Sequence, residues 1–405
     1  MMTHFRKRFS PEILAQINEQ IAGKALKQTI AADPPTTREA ATPAPASDGN
    51  DDRDNTPPAN QGKLIVDATC APADIKYPTD LNLLNEAREK AEALIDTLHT
   101  PFIGQQRKPR TYRQEARKAY LAVAKKKKPG KRKIRKAIGQ QLRYLKRDLE
   151  IIEQMASQGL LVLLSKREYR NLLVIQELYR QQQSMYQTGR HQVADRIVSI
   201  SQPHIRPIVR GKAKCATEFG AKLSVSLVHG MSFVDRISWD NYNEGGDLIA
   251  QIERYQSRFG CYPESVHADQ IYRTQENRRY CKDHGIRFSG PPLGRPKAAT
   301  PATAAELKRE KRLRRQDELD RNAVEGKFGQ GKRRFTLGLI MAKLAGTAQS
   351  VITLSFIVMN LEKILSFLLY FAPDLCQLCR MAVCRIAHSL RERLGIPASG
   401  ILLAA

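Results

Sequence analysis

Two short apolar runs, each closing on an aspartate, constrain this chain more than any other feature. They are Leu64-Ile65-Val66 before Asp67 and Ser265-Val266-His267-Ala268 before Asp269. Runs this short, bounded by polar residues, predict buried strands rather than helices. A buried strand that closes on an aspartate delivers a carboxylate to the end of a sheet. Between the two runs the apolar spacing changes. Leu142, Leu145, Leu149 and Ile152, then Leu172, Ile175 and Tyr179, recur at three and four residues. That spacing predicts paired antiparallel helices across roughly 80–190, with a short coiled-coil-like contact.

The rest of the chain reads around this frame. Ser10-Pro11-Glu12 predicts a helix start, with Ser as cap and Pro at the first helical position, followed by an apolar face of Ile13, Leu14, Ile17 and Ile21. Residues 31–61 are rich in Pro, Ala, Asp and Thr, which predicts a disordered linker. Strands are predicted at 196–201, 204–210, 222–230 and 232–239, the last two as a hairpin across the His229-Gly230-Met231 turn. An amphipathic helix over 244–259, a helix over 274–284 and a short strand at Gly285–Gly290 follow. Beyond a Pro/Gly loop over 289–303 come a highly charged helix and a long helical region over 337–368.

The 405 residues carry a formal net charge of +26, and a chain this basic has a polyanion as its natural partner, nucleic acid before membrane. The densest apolar window, Ile364–Phe371, is too short to span a bilayer, and the N-terminus has no apolar signal region. Seven cysteines, an odd number in a long chain, argue for a reducing compartment and against a disulfide framework. A cytoplasmic, nucleoid-associated protein is therefore expected. The densest cationic block holds Lys125, Lys126, Lys127, Lys128, Lys131, Arg132 and Lys133, with Tyr112 and Tyr120 nearby, and is expected to contact a phosphate backbone.

A strand ending in Asp, a second such strand, and a late helix bearing Glu325 follow the plan of a ribonuclease H-like α/β fold: a mixed sheet flanked by helices. Here it would carry a large helical insertion between its first and second core strands and a helical C-terminal tail. With 41 acidic residues an Asp at a strand end is common. Asp74 and Asp80 lie near Asp67, but neither ends an apolar run. Three long blocks carry more weight: IVDATCAPADIKYPTDLNLLNEARE (65–89), HADQIYRTQENRRYCKDHGIRFSGPPLGRP (267–296) and DRNAVEGKFGQGKRR (320–334). They resemble the catalytic blocks of bacterial insertion-sequence transposases of the DDE class, and 206–227 resembles a fourth block.

The resemblance implies Asp67, Asp269 and Glu325 as catalytic metal ligands for two Mg²⁺ ions, with Mn²⁺ as a substitute, and Arg321 and Lys332 as phosphate contacts. Hard oxygen ligands on separate elements suit that cation. It also implies double-stranded DNA as partner, both terminal inverted repeats and target, and a homodimer in the active complex. Arg321, Glu325 and Lys332 would share one helix face if the helix persisted. Gly326, Gly329 and Gly331 argue against that persistence, at about 1 kcal/mol each. Two departures stand out: Glu318 occupies the position where related transposases often place Tyr, and the segment before the core is short. The expected organisation is a residual N-terminal helical segment (1–30), the linker (31–61), a catalytic domain (62–335) with its basic helical insertion (80–190), and a C-terminal helical region (336–405).

Rival motifs are weaker. Gly326, Gly331 and Lys332 have the spacing of a phosphate-binding loop, but Arg333 stands where a Ser or Thr is required and no apolar strand precedes them. Cys376, Cys379, Cys384 and His388 match a zinc site in number, yet sit among apolar residues without a knuckle turn. Trp239 is expected in the core and His267 in local packing. The expected function is Mg²⁺-dependent DNA strand cleavage and transfer. The alternative is an N-terminally truncated, inactive DNA-binding remnant or regulator of transposition.

Overall fold

A computed structural model describes residues 9–32, 59–209, 217–291, 294 and 304–394. Its sheet is built from six strands: β1 (Lys63–Pro72), β2 (Arg206–Val209), β3 (Thr217–Val228), β4 (Met231–Ser238), β5 (Ser265–His267) and β6 (Arg287–Phe288). β3 runs antiparallel to β1 along one edge, and pairs with β2 and then β4 along its other edge. On the far side of β1, β5 and β6 add in parallel. The order β4-β3-β1-β5-β6 thus combines an antiparallel meander with two parallel strands. The β3–β4 hairpin turns on His229 (φ 46°) and Gly230 (φ 82°), two left-handed residues whose twist matches that of the strands they join.

Both faces of this sheet are covered, which explains why β1 is almost continuously apolar. Leu64 and Val66 point to one side, against Leu248, Ile252 and Tyr255 of α6 (Leu248–Phe259), Cys281 of α7 (Gln275–Asp283), and Ala22 and Leu26 of α1 (Pro11–Ala32). Ile65 and Ala71 point to the other, against Val324 and Phe328 of α8 (Ala304–Arg334) and Ile352 and Phe356 of α9 (Ala345–Leu394). A second core joins α2 (Asp80–His99), α3 (Arg113–Ala124), α4 (Lys131–Ser157) and α5 (Lys166–Thr188), helices that lie between β1 and β2 in the chain. Leu84, Ile95, Leu145, Ile152, Ile175 and Leu178 fill it.

Several expectations are corrected. Asp67 lies in the middle of β1, because the strand continues to Pro72 through its pairing with β3. Asp269 stands two residues beyond β5. Residues 196–201 form no strand: Ile197, Val198 and Ile200 are buried in irregular backbone. The amphipathic helix begins at Leu248, after a 3₁₀ turn over Glu244–Asp247. The 337–368 helix starts only at Ala345, since Ile340 bonds Pro72 and Asp74 at the end of β1. In α1 the buried face is Leu14, Asn18, Ala22 and Leu26, whereas Ile13 is exposed.

α8 runs unbroken through its three glycines to Arg334. Tertiary packing overrides their propensity, because Val324 and Phe328 anchor this stretch in the core. At Gly331 a Cβ would come within 2.7 Å of Leu337 Cδ1 and 3.3 Å of Met359 Sδ, so glycine permits the close approach of α9.

By length and composition Ala345–Tyr370 of α9 could cross a membrane, which revises the view that no segment is long enough. Its first half is packed as a core helix. Asn360 is buried there, donating to Asn18 Oδ1 and to Ser232 O (2.8 Å each) and so tying α1, β4 and α9 together.

Candidate active site

The three acids singled out in the sequence come to one place. Asp67 of β1, Asp269 after β5 and Glu325 of α8 all line a single cleft of about 780 Å³ beside the central strand β1. Lys332 lines it too, so the two halves of the α8 motif do share a face. Lys125, Lys126, Lys127 and Lys128 lie in the turn between α3 and α4, and Lys131, Arg132 and Lys133 open α4. All seven are exposed, and none of them lines the cleft. The nearby tyrosines are engaged within the chain: Tyr112 lies under Arg147, and Tyr120 donates to Asn82 Oδ1 at 3.0 Å.

Asp67 is the least accessible of the three. Its Oδ1 accepts from the Ala68 amide at 2.7 Å. Burial, and then the negative charges of Asp269, Glu244 and Glu325, push its pKa up to about 6 against the hydrogen bond from Ala68. Asp269 is exposed and takes an ion pair from Arg321 of α8, one turn before Glu325.

α8 is seated on the strands by a row of charges at helical spacing. Asp317 receives two bonds from Arg287 of β6, at 2.8 and 2.9 Å. Asp320 pairs with Lys63 of β1 at 2.8 Å. His267 is fully buried on β5, with Ser265 Oγ 3.0 Å from its Nε2; burial pushes its pKa down. It does not line the cleft and lies between Ser265 and Asp317. Trp239 packs against the core, edge-on to His204 with centroids 4.5 Å apart.

Sequence reasoning missed Glu244, Lys222 and Asp317. Glu244 lines the cleft and is neutralised by Lys222 of β3, whose Nζ lies 2.9 Å from Glu244 Oε2 and 2.7 Å from the Tyr242 carbonyl. The only sequence signal was an acid in the polar loop after the hairpin, which is common.

The donor set suits Mg²⁺ or Mn²⁺ in kind: carboxylate oxygens from three elements around one cleft, which the cationic side chains of Lys222 and Lys332 also line. Among the described residues no three His, Cys, Asp or Glu side chains yet close on one point, and Arg321 occupies Asp269. A cation would therefore exchange with that guanidinium. The side chains of Cys376, Cys379, Cys384 and His388 lie outside the described residues.

Sheet and cleft define a mixed α/β protein with an acid-lined cleft beside its central strand β1. Residues 266–362 match the family model described as a transposase DDE domain. The matched stretch contains Asp269, Arg321, Glu325 and Lys332, while Asp67 precedes it. This part of the chain is thus similar to a domain of DNA-processing enzymes. No curated protein and no solved structure gives a significant match.

Proposed function

We propose that this chain is a DDE transposase of an insertion sequence, cleaving DNA and transferring its strands at a centre formed by Asp67, Asp269 and Glu325. One observation carries the proposal: three carboxylates from distant parts of the chain line one cleft, two of them inside the transposase match. The strand order β4-β3-β1-β5-β6, an antiparallel meander continued by two parallel strands, supports a ribonuclease H-like core over 62–335. In that reading 80–190 is a helical insertion and 336–405 a C-terminal extension.

Two Mg²⁺ ions, when bound, would activate the attacking oxygen and stabilise the leaving one in an in-line phosphoryl displacement. Within the chain, Asp67, ionised above its raised pKa of about 6, and Asp269, once released from Arg321, would hold the ions together with Glu325. Arg321, freed, and Lys332, on the cleft wall, then face the scissile phosphate and its neighbour. Water attacks first, and a DNA 3′-hydroxyl afterwards. No covalent protein–DNA bond is needed.

The basic block supports a DNA partner by an independent route. α4 opens without a side-chain cap and with Lys131, Arg132 and Lys133 at its positive end. Each such cation opposes the helix dipole by about 0.3–1 kcal/mol. A phosphate bound there would satisfy the exposed amides and offset that cost. Paired transposon ends call for a homodimer, acting in the cytoplasm on the nucleoid.

A second reading, an inactive DNA-binding remnant, has one observation in its favour: the three carboxylates do not close on a point while Arg321 holds Asp269. Strand transfer with DNA carrying the element's own ends separates the two. Mg²⁺-dependent joined product supports the transposase, whereas tight binding with neither nicks nor joined product supports the remnant.

A further inference from the structure

Glu325 is placed by a helix, and what fixes that helix is visible. Asp317, Asp320, Arg321 and Glu325 follow one another at short steps of up to four residues, so they lie along one side of α8. The first three each grip a different part of the sheet: Asp317 with Arg287 of β6, Asp320 with Lys63 of β1, and Arg321 with Asp269 beyond β5. These pairs are not equal. The side chain of Lys63 is 52% exposed and that of Asp269 55%, so both pairs are screened by water. Asp317 is 8% exposed at its side chain and its partner Arg287 38%, so this pair is the least exposed of the three, and it is held by a two-pronged guanidinium contact, the geometry with the strongest directional preference.

A second group aims at the same carboxylate. His267 Nδ1 is buried, has no hydrogen-bond partner and faces Asp317 Oδ1 at 3.6 Å. That is just outside hydrogen-bond range. In the tautomer that accepts the Ser265 Oγ–H bond at Nε2, the Nδ1 proton is directed at Asp317. A small settling of α8 towards β5 would close the bond.

We propose that Asp317 is a positioning residue for Glu325. Gripped by Arg287 and faced by His267, it sets the height and rotation of α8 over the strand edge. Glu325 stands two turns along, about 12 Å, and its distance from Asp67 and Asp269 follows from that setting. The His267–Asp317 gap is the slack taken up when the three carboxylates gather around a cation. This inference rests on the two-metal reading of the cleft.

The test is Mn²⁺ affinity, read by electron paramagnetic resonance on folded protein, together with kcat and KM for nicking DNA that carries the element's ends. Asp317→Asn should weaken Mn²⁺ binding and lower kcat by about tenfold each, the usual size for a residue that orients a ligand, with KM for DNA nearly unchanged. Asp317→Glu keeps the charge but pushes the carboxylate out by one methylene. It should fold and show a smaller loss of the same kind. Lys63→Met, which breaks only the exposed pair, should leave Mn²⁺ affinity at the wild-type value.

A merely structural Asp317 would lower the melting temperature while the folded variant kept wild-type Mn²⁺ affinity and kcat, and that result overturns the proposal. If Asp317→Asn does not fold, Asp317→Glu decides on the same readouts. Glu325→Gln separates the two levels. Wild-type Mn²⁺ affinity in that variant removes the two-metal reading itself. Weakened binding there, with none in the Asp317 variants, removes only the positioning role.

Discussion

Arg321 of α8 is ion-paired to Asp269, so a side chain proposed to hold phosphate neutralises one proposed to hold metal. The two roles are in competition until a cation arrives. The pair is partly exposed, which limits its strength to about 0.2–1 kcal/mol. Arg321→Met should therefore tighten Mn²⁺ binding modestly, by about two- to fivefold, while weakening binding to DNA. Titration calorimetry with Mn²⁺ alone and then with duplex DNA checks both directions. Equal Mn²⁺ affinity in the two proteins would show that Asp269 is not held back by this ion pair.

Asp67 sets a pH dependence. Its pKa is raised to about 6 by burial and by the neighbouring acids, and a ligand carboxyl must be deprotonated to bind metal. Apparent Mn²⁺ affinity should rise by about tenfold per pH unit below pH 6 and level off above it. Asp67→Asn should abolish that slope. An affinity independent of pH between about 4.5 and 7 would contradict the assignment of Asp67 as a ligand.

Asp148 gives a stability prediction away from the cleft. It is buried in the helical core, neither of its carboxylate oxygens has a hydrogen-bond partner, and burial, then Glu92, push its pKa up to about 8. A carboxyl whose folded pKa is raised stabilises most below its unfolded pKa, and that contribution is lost as pH rises through the folded one. Asp148→Asn should thus gain melting temperature relative to wild type as pH climbs from about 4 to about 8. Parallel melting curves for the two proteins over that range would contradict a neutral, buried Asp148.

The start of α4 should act on DNA affinity through salt. Replacing Lys131, Arg132 and Lys133 by Gln should flatten the dependence of log K on log salt by about one unit for each phosphate no longer neutralised. The same change should slightly stabilise the helix, because three cations leave its positive end. A salt slope identical to wild type would place the DNA elsewhere.

The carboxylates were legible in the sequence because apolar runs mark buried strands and Asp67 and Asp269 close two of them. Their exact setting was not. Asp67 is mid-strand because β3 extends the pairing of β1 to Pro72, a long-range fact without a local signal. The persistence of α8 through three glycines has no local signal for the same reason: Val324 and Phe328 are anchored, and Gly331 is approached by Met359, through other parts of the chain. Glu244 and Asp317 were invisible because single acids in polar loops and charged helices are ordinary until a neighbouring Lys222 or Arg287 gives them a place.

Everything proposed for the cleft depends on Glu325 completing a metal-dependent phosphoryl-transfer site with Asp67 and Asp269. The decisive variant is Glu325→Gln, assayed for Mg²⁺- or Mn²⁺-dependent nicking of DNA carrying the element's ends, with DNA binding measured alongside. Nicking should be lost with binding nearly intact, since the basic surface of α4 is untouched. Nicking at the wild-type rate in that variant would show that the chemistry does not run through Glu325.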